Sequence, residues 1–208
     1  MPHVGEGADW LWVFDPIDGT KAFITGKPTW GTLIALLHKG VPLLGIIDNP
    51  VLKERWIGVV GRQSVFNGQP ITTRACTDLS KAYMYSTTPL MFTGVCEEAY
   101  NKLRDSVKIP LYGCDCYAYG LLASGFCDLV VEADLKPYDY MALVPIIKGA
   151  GGVITDWNDR ELVWVPDGGA NDNAGFTAYA GEVLAAGDRA CHAQALKALD
   201  FTLSNPNQ

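Results

Sequence analysis

Trp12-Val13-Phe14-Asp15-Pro16-Ile17-Asp18-Gly19-Thr20 is the stretch on which the reading of this chain turns. Leu11 to Phe14 has the length and apolar character of a buried strand, and it stops at Asp15. Pro16 fixes its own φ and keeps Asp15 out of helical geometry, so the chain must turn there. The turn returns Asp18 toward Asp15. Gly19 permits close backbone approach, and its N–H and that of Thr20 can face an anion at the start of a following helix. Two carboxylates three residues apart, then a glycine and a hydroxyl, suit a polynuclear metal site that holds a phosphate. Oxygen ligands with no His or Cys beside them favour Mg2+ over zinc. Asp-Pro and Asp-Gly pairs are also ordinary turn chemistry, so a lone Asp-x-x-Asp carries little.

Composition narrows the partners. The chain has 208 residues, 49% hydrophobic and 19% charged, which is ordinary globular composition with length for a sizeable core. A net charge of −7 and the lack of a basic stripe argue against nucleic acid. An acidic protein that handles phosphate must use metal or backbone N–H groups. No stretch is long and apolar enough to span a membrane. The N-terminus lacks the charged and apolar regions of a secretory signal, so a cytoplasmic location is expected. Cys76, Cys96, Cys114, Cys116, Cys127 and Cys191 contain no CxxC pair and read as reduced thiols, mostly in the core.

Outward from the opening motif, apolar runs of strand length follow at Thr32–Leu37, Leu43–Ile47 and Trp56–Val60. Lys39-Gly40 and Asp48-Asn49-Pro50 punctuate them as turns. Asn67-Gly68 reads as a hairpin tip before Gln69–Thr72. This part is an antiparallel meander. Beyond it helix and strand alternate. Cys96–Val107 is a surface amphipathic helix, and Tyr117–Ser124 is a short helix closed by Gly125. Asp128–Ala133 and Val153–Thr155 are strands. Tyr138–Lys148 is a helix ended by Gly149-Ala150-Gly151-Gly152, with Pro145 kinking its middle. A turn follows at Asn158-Asp159, then Glu182–Ala186 and Ala190–Leu199 lead into a C-terminal helix. Ser204–Gln208 reads as a disordered tail. The fold class is α/β, one phosphatase domain over residues 1–208, with antiparallel sheet first, a mixed sheet second and the site between them.

Lys136-Pro137-Tyr138-Asp139-Tyr140-Met141-Ala142 is the second segment that carries chemistry. Pro137 sets a helix start near Tyr138, so Asp139 falls in the first turn, where the helix dipole favours an acid. Alone, that makes Asp139 a cap.

The opening nine-residue string, followed in order by Tyr138, Asp139, Ala142 and the glycine run from Gly149, resembles the signature of the inositol monophosphatase family. Its members are Mg2+-dependent, lithium-sensitive phosphatases. Tyr138 stands where the family usually has Trp. The resemblance runs from about Trp10 to Leu199 and implies a layered α/β sandwich of the sugar-phosphatase type. It also implies a ligand set. Asp15 bridges two Mg2+ ions, Asp18 and Asp139 hold the second, and the Ile17 carbonyl helps hold the first. Paired ions activate a water on one side of the phosphorus and stabilise the leaving alkoxide on the other. The Gly19 and Thr20 N–H groups take phosphate oxygens, and the Thr20 hydroxyl orients the water. Lys21 contacts phosphate or is a solvated first-turn residue. No covalent intermediate is implied, and a homodimer is.

Three strings look more like the histidinol-phosphate phosphatase branch: Asp18 to Pro28, Asp115 to Tyr119, and Tyr138 to Pro145. Where inositol enzymes have a small Gly-Ser-Ala segment, this chain has Cys114-Asp115-Cys116. Glu132 matches a substrate-contacting Glu of the family. Together Asp115 and Glu132 suit a cationic substrate better than a ring of hydroxyls does. Asp115 reads equally as a helix N-cap before Tyr117, and Glu132 as a strand-end charge. The expected activity is hydrolysis of L-histidinol phosphate to L-histidinol, a step of histidine biosynthesis. The alternatives are an inositol monophosphatase or other small sugar-phosphate phosphatase, and an inactive metal-binding remnant. His3, His38 and His192 fall outside every motif and read as surface or satisfied core.

The resemblance further implies a preceding segment: two helices, a Gly-Glu-Glu motif that ligates the first metal, and an Asp that partners the Thr20 hydroxyl. Met1 is expected to start too late for any of these. The expectation is a chain truncated relative to the family, with a weakened first metal site, impaired activity and an exposed apolar sheet face. Glu6 lies too close to the aspartate pair to replace the missing glutamate.

Overall fold

The computed structural model describes residues 9–166, 176–178 and 181–201. His3, Glu6 and the Ser204–Gln208 tail lie outside the described residues. In the first half β1 (Trp10–Asp18), β2 (Gly31–His38), β3 (Val41–Asn49), β4 (Glu54–Val59), β5 (Val65–Phe66) and β6 (Gln69–Pro70) lie side by side in chain order. Each is antiparallel to the next. The short helix α1 (Thr20–Thr25) sits between β1 and β2. Lys39-Gly40 and Asn67-Gly68 have positive φ at both residues, the turn geometry whose twist matches paired strands.

The second half contains β7 (Tyr83–Ser86), α2 (Val95–Arg104), β8 (Ile109–Tyr112), α3 (Cys116–Ala123), β9 (Leu129–Glu132), α4 (Pro137–Tyr140) and α5 (Leu143–Gly149). It continues with β10 (Val153–Asp156), β11 (Trp164–Pro166), β12 (Phe176–Ala178), β13 (Val183–Ala186) and α6 (Arg189–Leu199). Five of its strands form a mixed sheet in the order β10-β13-β9-β7-β8, and β11 and β12 pair in a separate two-stranded sheet. Strand β7 is parallel to both β8 and β9, whereas β13 is antiparallel to its neighbours.

The central strands β9 and β13 are buried at every position, and their side chains alternate between two cores, which defines the layers. Val130 of β9 and Ala185 of β13 join a core with Leu33, Leu37 and Ile47 of the meander and the buried sides of α3 and α5. Leu129, Val131 and Leu184 point the other way, into a second core with Tyr100 and Leu103 of α2 and Ala195 and Leu199 of α6. The order through the molecule is therefore meander, α3 to α5, mixed sheet, α2 with α6. The middle helices can lie flat on the meander because Gly45 and Gly58 have no side chains. A Cβ on Gly45 would fall 1.8 Å from the Ala142 carbonyl oxygen, and one on Gly58 would fall 2.3 Å from the Ile146 nitrogen. Trp56 closes the same interface, buried with its indole N–H donating to Ser124 Oγ at 2.9 Å.

Three sequence expectations need correction. First, β1 is half-buried rather than buried: Leu11 and Val13 face the core, while Trp10, Trp12 and Phe14 are each more than half exposed. An all-apolar run conceals which face it presents, and β1 is an edge strand with core on one side. Second, the strand does not end at Asp15. It continues to Asp18, which pairs with Gly31, and the expected turn is a shift of register between the two aspartates. Third, β7 and β8 have no counterpart in the sequence reading. Each has four residues, too few for a clear alternation, and Pro110 interrupts β8.

The helix expected over Tyr138–Lys148 is divided into α4 and α5, yet Met141 and Ala142 keep helical dihedral angles. Pro145 cannot donate to the Met141 carbonyl one turn earlier, so the division falls there. All six cysteines are free. Of the histidines, His192 is buried against Thr155 Oγ1 at 2.9 Å, and His38 packs its ring 4.4 Å from Trp10.

Candidate active site

Asp15, Asp18 and Asp139 converge. One carboxylate oxygen from each lies within 4.8 Å of the other two. The bulged end of β1 supplies the first two, and the first turn of α4 brings the third against β1 and β2. A backbone N–H anchors each carboxylate: Ile17 donates to Asp15 Oδ1 at 3.1 Å, Cys116 to Asp18 Oδ2 at 2.6 Å, and Lys136 to Asp139 Oδ2 at 2.7 Å. Asp139 thus serves as helix cap and cluster member together. The Asp18 bond reaches across the molecule to the N-terminus of α3.

Burial raises the proton affinity of all three. Asp18 is pushed up to about 7 and Asp139 to about 6, mainly by desolvation, with neighbouring carboxylates adding to it. Asp15 is raised for the same first reason. Among the described residues none of the three forms an ion pair with Lys or Arg. Three crowded oxygen donors without an internal counter-charge are the donor set of a hard divalent cation, so the residues fit the metal that the motifs imply.

The other predicted residues ring this centre. The Thr20 hydroxyl donates to the Ile17 carbonyl at 3.2 Å, which joins the expected water-orienting group to the expected carbonyl ligand. Gly19 opens α1 with φ +78°, and a Cβ there would meet Asp115 Oδ2 at 3.0 Å. Its missing side chain is thus the space into which Asp115 fits. Asp115 occupies the N-cap position of α3, but its side chain makes no cap bond. Its backbone is in an unusual conformation (φ 47°, ψ −138°), the kind of strain that concentrates at functional sites. Burial raises the Asp115 carboxyl, while the positive charges of Lys27 and Lys21 oppose the rise. Lys21 is exposed on α1. Lys27 donates through Nζ to the Gly113 carbonyl, tying the segment after α1 to the loop that carries Asp115.

Glu132 is no surface charge. It is 3% exposed at the end of β9. Its Oε1 accepts the Thr87 N–H at 3.1 Å and the Thr87 hydroxyl, and its Oε2 accepts the Tyr119 hydroxyl at 2.9 Å. Desolvation, with the Asp18 charge assisting, pushes it up to about 7. Sequence reasoning did not single out Thr87, Tyr119 or Lys27. Tyr119 and Lys27 entered only as members of strings that resemble the histidinol-phosphate phosphatase branch, without a role of their own, and Thr87 follows a strand that the sequence did not disclose.

The profile of the Inositol monophosphatase family matches residues 2–203. Bifunctional phosphatase IMPL2, chloroplastic, from Arabidopsis thaliana is 59% identical over 94% of this chain and 55% of that protein. A histidinol-phosphatase from Chlorobaculum parvum is 31% identical over 73% of this chain and 59% of its own length. The chain therefore spans less than two thirds of the length of these curated relatives. Among solved structures, an inositol monophosphatase from Zymomonas mobilis superposes with a TM-score of 0.85 at 47% identity, over 94% of this chain and 72% of the other.

Proposed function

The chain belongs to the inositol monophosphatase family, and on that premise we propose that it is a Mg2+-dependent phosphomonoesterase that hydrolyses L-histidinol phosphate to L-histidinol. The observation that carries this reading is the meeting of Asp15, Asp18 and Asp139 at one acidic centre. These three and the Ile17 carbonyl would hold the cations. When bound, the cations supply Lewis acidity toward the phosphoryl oxygens and neutralise charge in the transition state. The chain's own groups bind and orient. Gly19 and Thr20 offer N–H groups that have no carbonyl partner one turn back, the ordinary state of a helix start. The Thr20 hydroxyl would orient a water, and Lys21 adds positive charge near the phosphate. Asp115, beside Gly19, and Glu132 would face the ammonium and imidazole of the substrate.

Similarity to a histidinol-phosphatase supports the substrate, and similarity to an inositol monophosphatase at 47% identity favours a second reading: inositol monophosphate or another small sugar phosphate. A panel of phosphate esters with Mg2+ separates them. The expected result is a kcat/KM for L-histidinol phosphate about tenfold or more above that for myo-inositol 1-phosphate, a difference of ~1.4 kcal/mol. Asp115→Ala should raise KM for the cationic ester more than for the neutral one. Equal or better turnover of the inositol ester selects the second reading. Magnesium binding without turnover of any ester selects a non-catalytic remnant. We further propose a homodimer. For its compartment, a plastid stands beside the cytosol, since the Arabidopsis relative is named as chloroplastic. No helix among the described residues is long and apolar enough to cross a membrane.

A further inference from the structure

Two of the six free cysteines meet where the chain passes from the meander to the mixed sheet. Cys76 lies on the segment between β6 and β7, two residues after Arg74, and Cys191 lies in the first turn of α6. Arg74 grips Asp128, the residue before β9, at 2.6 and 2.5 Å. The contact therefore sits at the end of β9 opposite Glu132. Hydrogen bonds on both sides of Cys191 hold the segment against it. The Cys76 N–H donates to Asp188 Oδ2 at 3.2 Å, while Asp188 Oδ1 accepts the Ala190 N–H at 2.7 Å as the cap of α6. One turn on, Gln194 Oε1 accepts the Leu79 N–H at 3.1 Å, and its Nε2 donates to the Thr77 carbonyl at 2.8 Å.

Asp188, Cys191 and Gln194 follow at three-residue spacing and share one face of the helix. The segment from Cys76 to Leu79 thus runs along the face that carries Cys191. Cys191 is fully buried, and Cys76 packs against the core cluster to which it belongs. Access comes from the Cys76 side. Cys76 lines a surface pocket of about 390 Å³ together with Arg74, Asp78, Lys81, Tyr83 and Asp128. Burial raises both thiols above their ordinary range, and the facing Cys76 adds to the rise of Cys191. A helix N-terminus lowers a thiol, but here desolvation wins. The pair is therefore slow to react and stays reduced until a disulfide reagent enters the pocket.

We propose that Cys76 and Cys191 are a redox modification site: a small soluble disulfide, oxidised glutathione, converts them to a disulfide that staples the segment between the two halves to α6. The Cys76 thiolate attacks one glutathione sulfur, forms a mixed disulfide and expels a glutathione thiolate, which takes up a proton. Cys191 then loses its proton, attacks the Cys76 sulfur and expels the second glutathione. The two protein thiols give up two electrons and two protons, and the reagent leaves as two thiols. The ring that closes is long, so the bond removes much chain entropy from the unfolded state. It leaves Asp15, Asp18 and Asp139 untouched, and it forms whether or not the chain hydrolyses an ester.

The test incubates the full chain with oxidised glutathione, alkylates the remaining thiols in denaturant and maps the peptides by mass spectrometry, with thermal melts before and after. The expected result is a linked pair of peptides carrying Cys76 and Cys191, and a melting temperature raised by about 5–10 °C. Dithiothreitol should reverse both. Cys191→Ala should stop at a glutathione adduct on Cys76, with no gain in melting temperature. Cys76→Ser should leave Cys191 unmodified. Cys76 is the partly exposed member, so Cys76→Ser keeps the test open if Cys191→Ala does not fold. Absence of the linked pair, a glutathione adduct that persists on Cys76 in the wild type, an oxidised chain that melts no higher, or a Cys76→Ser chain that gains as much on oxidation overturns the proposal. None of these outcomes bears on the phosphatase reading, which the ester panel tests separately.

Discussion

Two kinds of carboxylate site in this molecule show how differently the same side chain can be treated. At the join between meander and mixed sheet, Asp128 is buried and takes a forked bond from Arg74 at 2.6 and 2.5 Å, together with the Tyr83 N–H at 2.7 Å. Arg74 also lies over the Tyr83 ring. Asp156 is treated alike, with Arg160 Nε at 2.6 Å and two backbone N–H groups at 2.8 Å. In these clusters the protein supplies its own cation. At the Asp15, Asp18 and Asp139 centre the described residues supply one backbone N–H per carboxylate and no ion pair, and proton affinity rises instead. The paired clusters hold the fold together. The unpaired one is left for an external charge, at a cost in stability when that charge is absent.

The contrast breaks most sharply under substitution. Asp139→Asn should abolish measurable turnover, on the order of a thousandfold or more, since several kcal/mol of transition-state stabilisation run through the cations. The same change should raise the melting temperature in EDTA by a few degrees, because one of three repelling carboxylates is gone. Steady-state kinetics beside thermal melts check both. A fall in melting temperature in EDTA would mean that the centre is structural and the contrast false.

Arg74→Ala should do the reverse. It strands a buried Asp128, and loss of a buried partner costs ~3–5 kcal/mol. Arg74 is 37% exposed, so the low end applies. Urea unfolding should show it, while KM measured on the folded fraction stays unchanged.

A smaller effect sharpens the contrast through pH. Asp18 binds its proton more tightly folded than unfolded, as does Glu132. Their stabilisation is complete below the unfolded values, 3.8 and 4.5, and is lost as pH rises to about 7. Asp139 adds the same trend up to about 6. In EDTA, the melting temperature should therefore decline between pH 4.5 and 7. Mg2+ should reverse the decline, with a larger gain at pH 8 than at pH 5, because cation and protons compete for the same oxygens. A pH-independent gain would detach the cation from the three aspartates.

Much of this was legible in the sequence. The meander followed from strand-length apolar runs punctuated by Lys39-Gly40 and Asn67-Gly68, because local turn chemistry fixes the register of neighbours. The meeting of Asp139 with Asp15 and Asp18 was legible only through the family resemblance, since nothing local links residues so far apart. The faces of β1 were hidden by its uniform apolarity, and the parallel strands β7 and β8 by their brevity.

What the sequence by itself determined are the residue types and their local geometry: oxygen donors at a proline-forced irregularity, a glycine able to take positive φ, an acid in a helix's first turn. Tertiary structure alone decided which groups answer one another. Asp18 caps α3 in place of Asp115, Asp115 fills the space that Gly19 leaves, and Thr87 satisfies Glu132. Each of these contacts joins segments brought together by packing between layers, and a buried polar group takes whichever partner that packing places within reach.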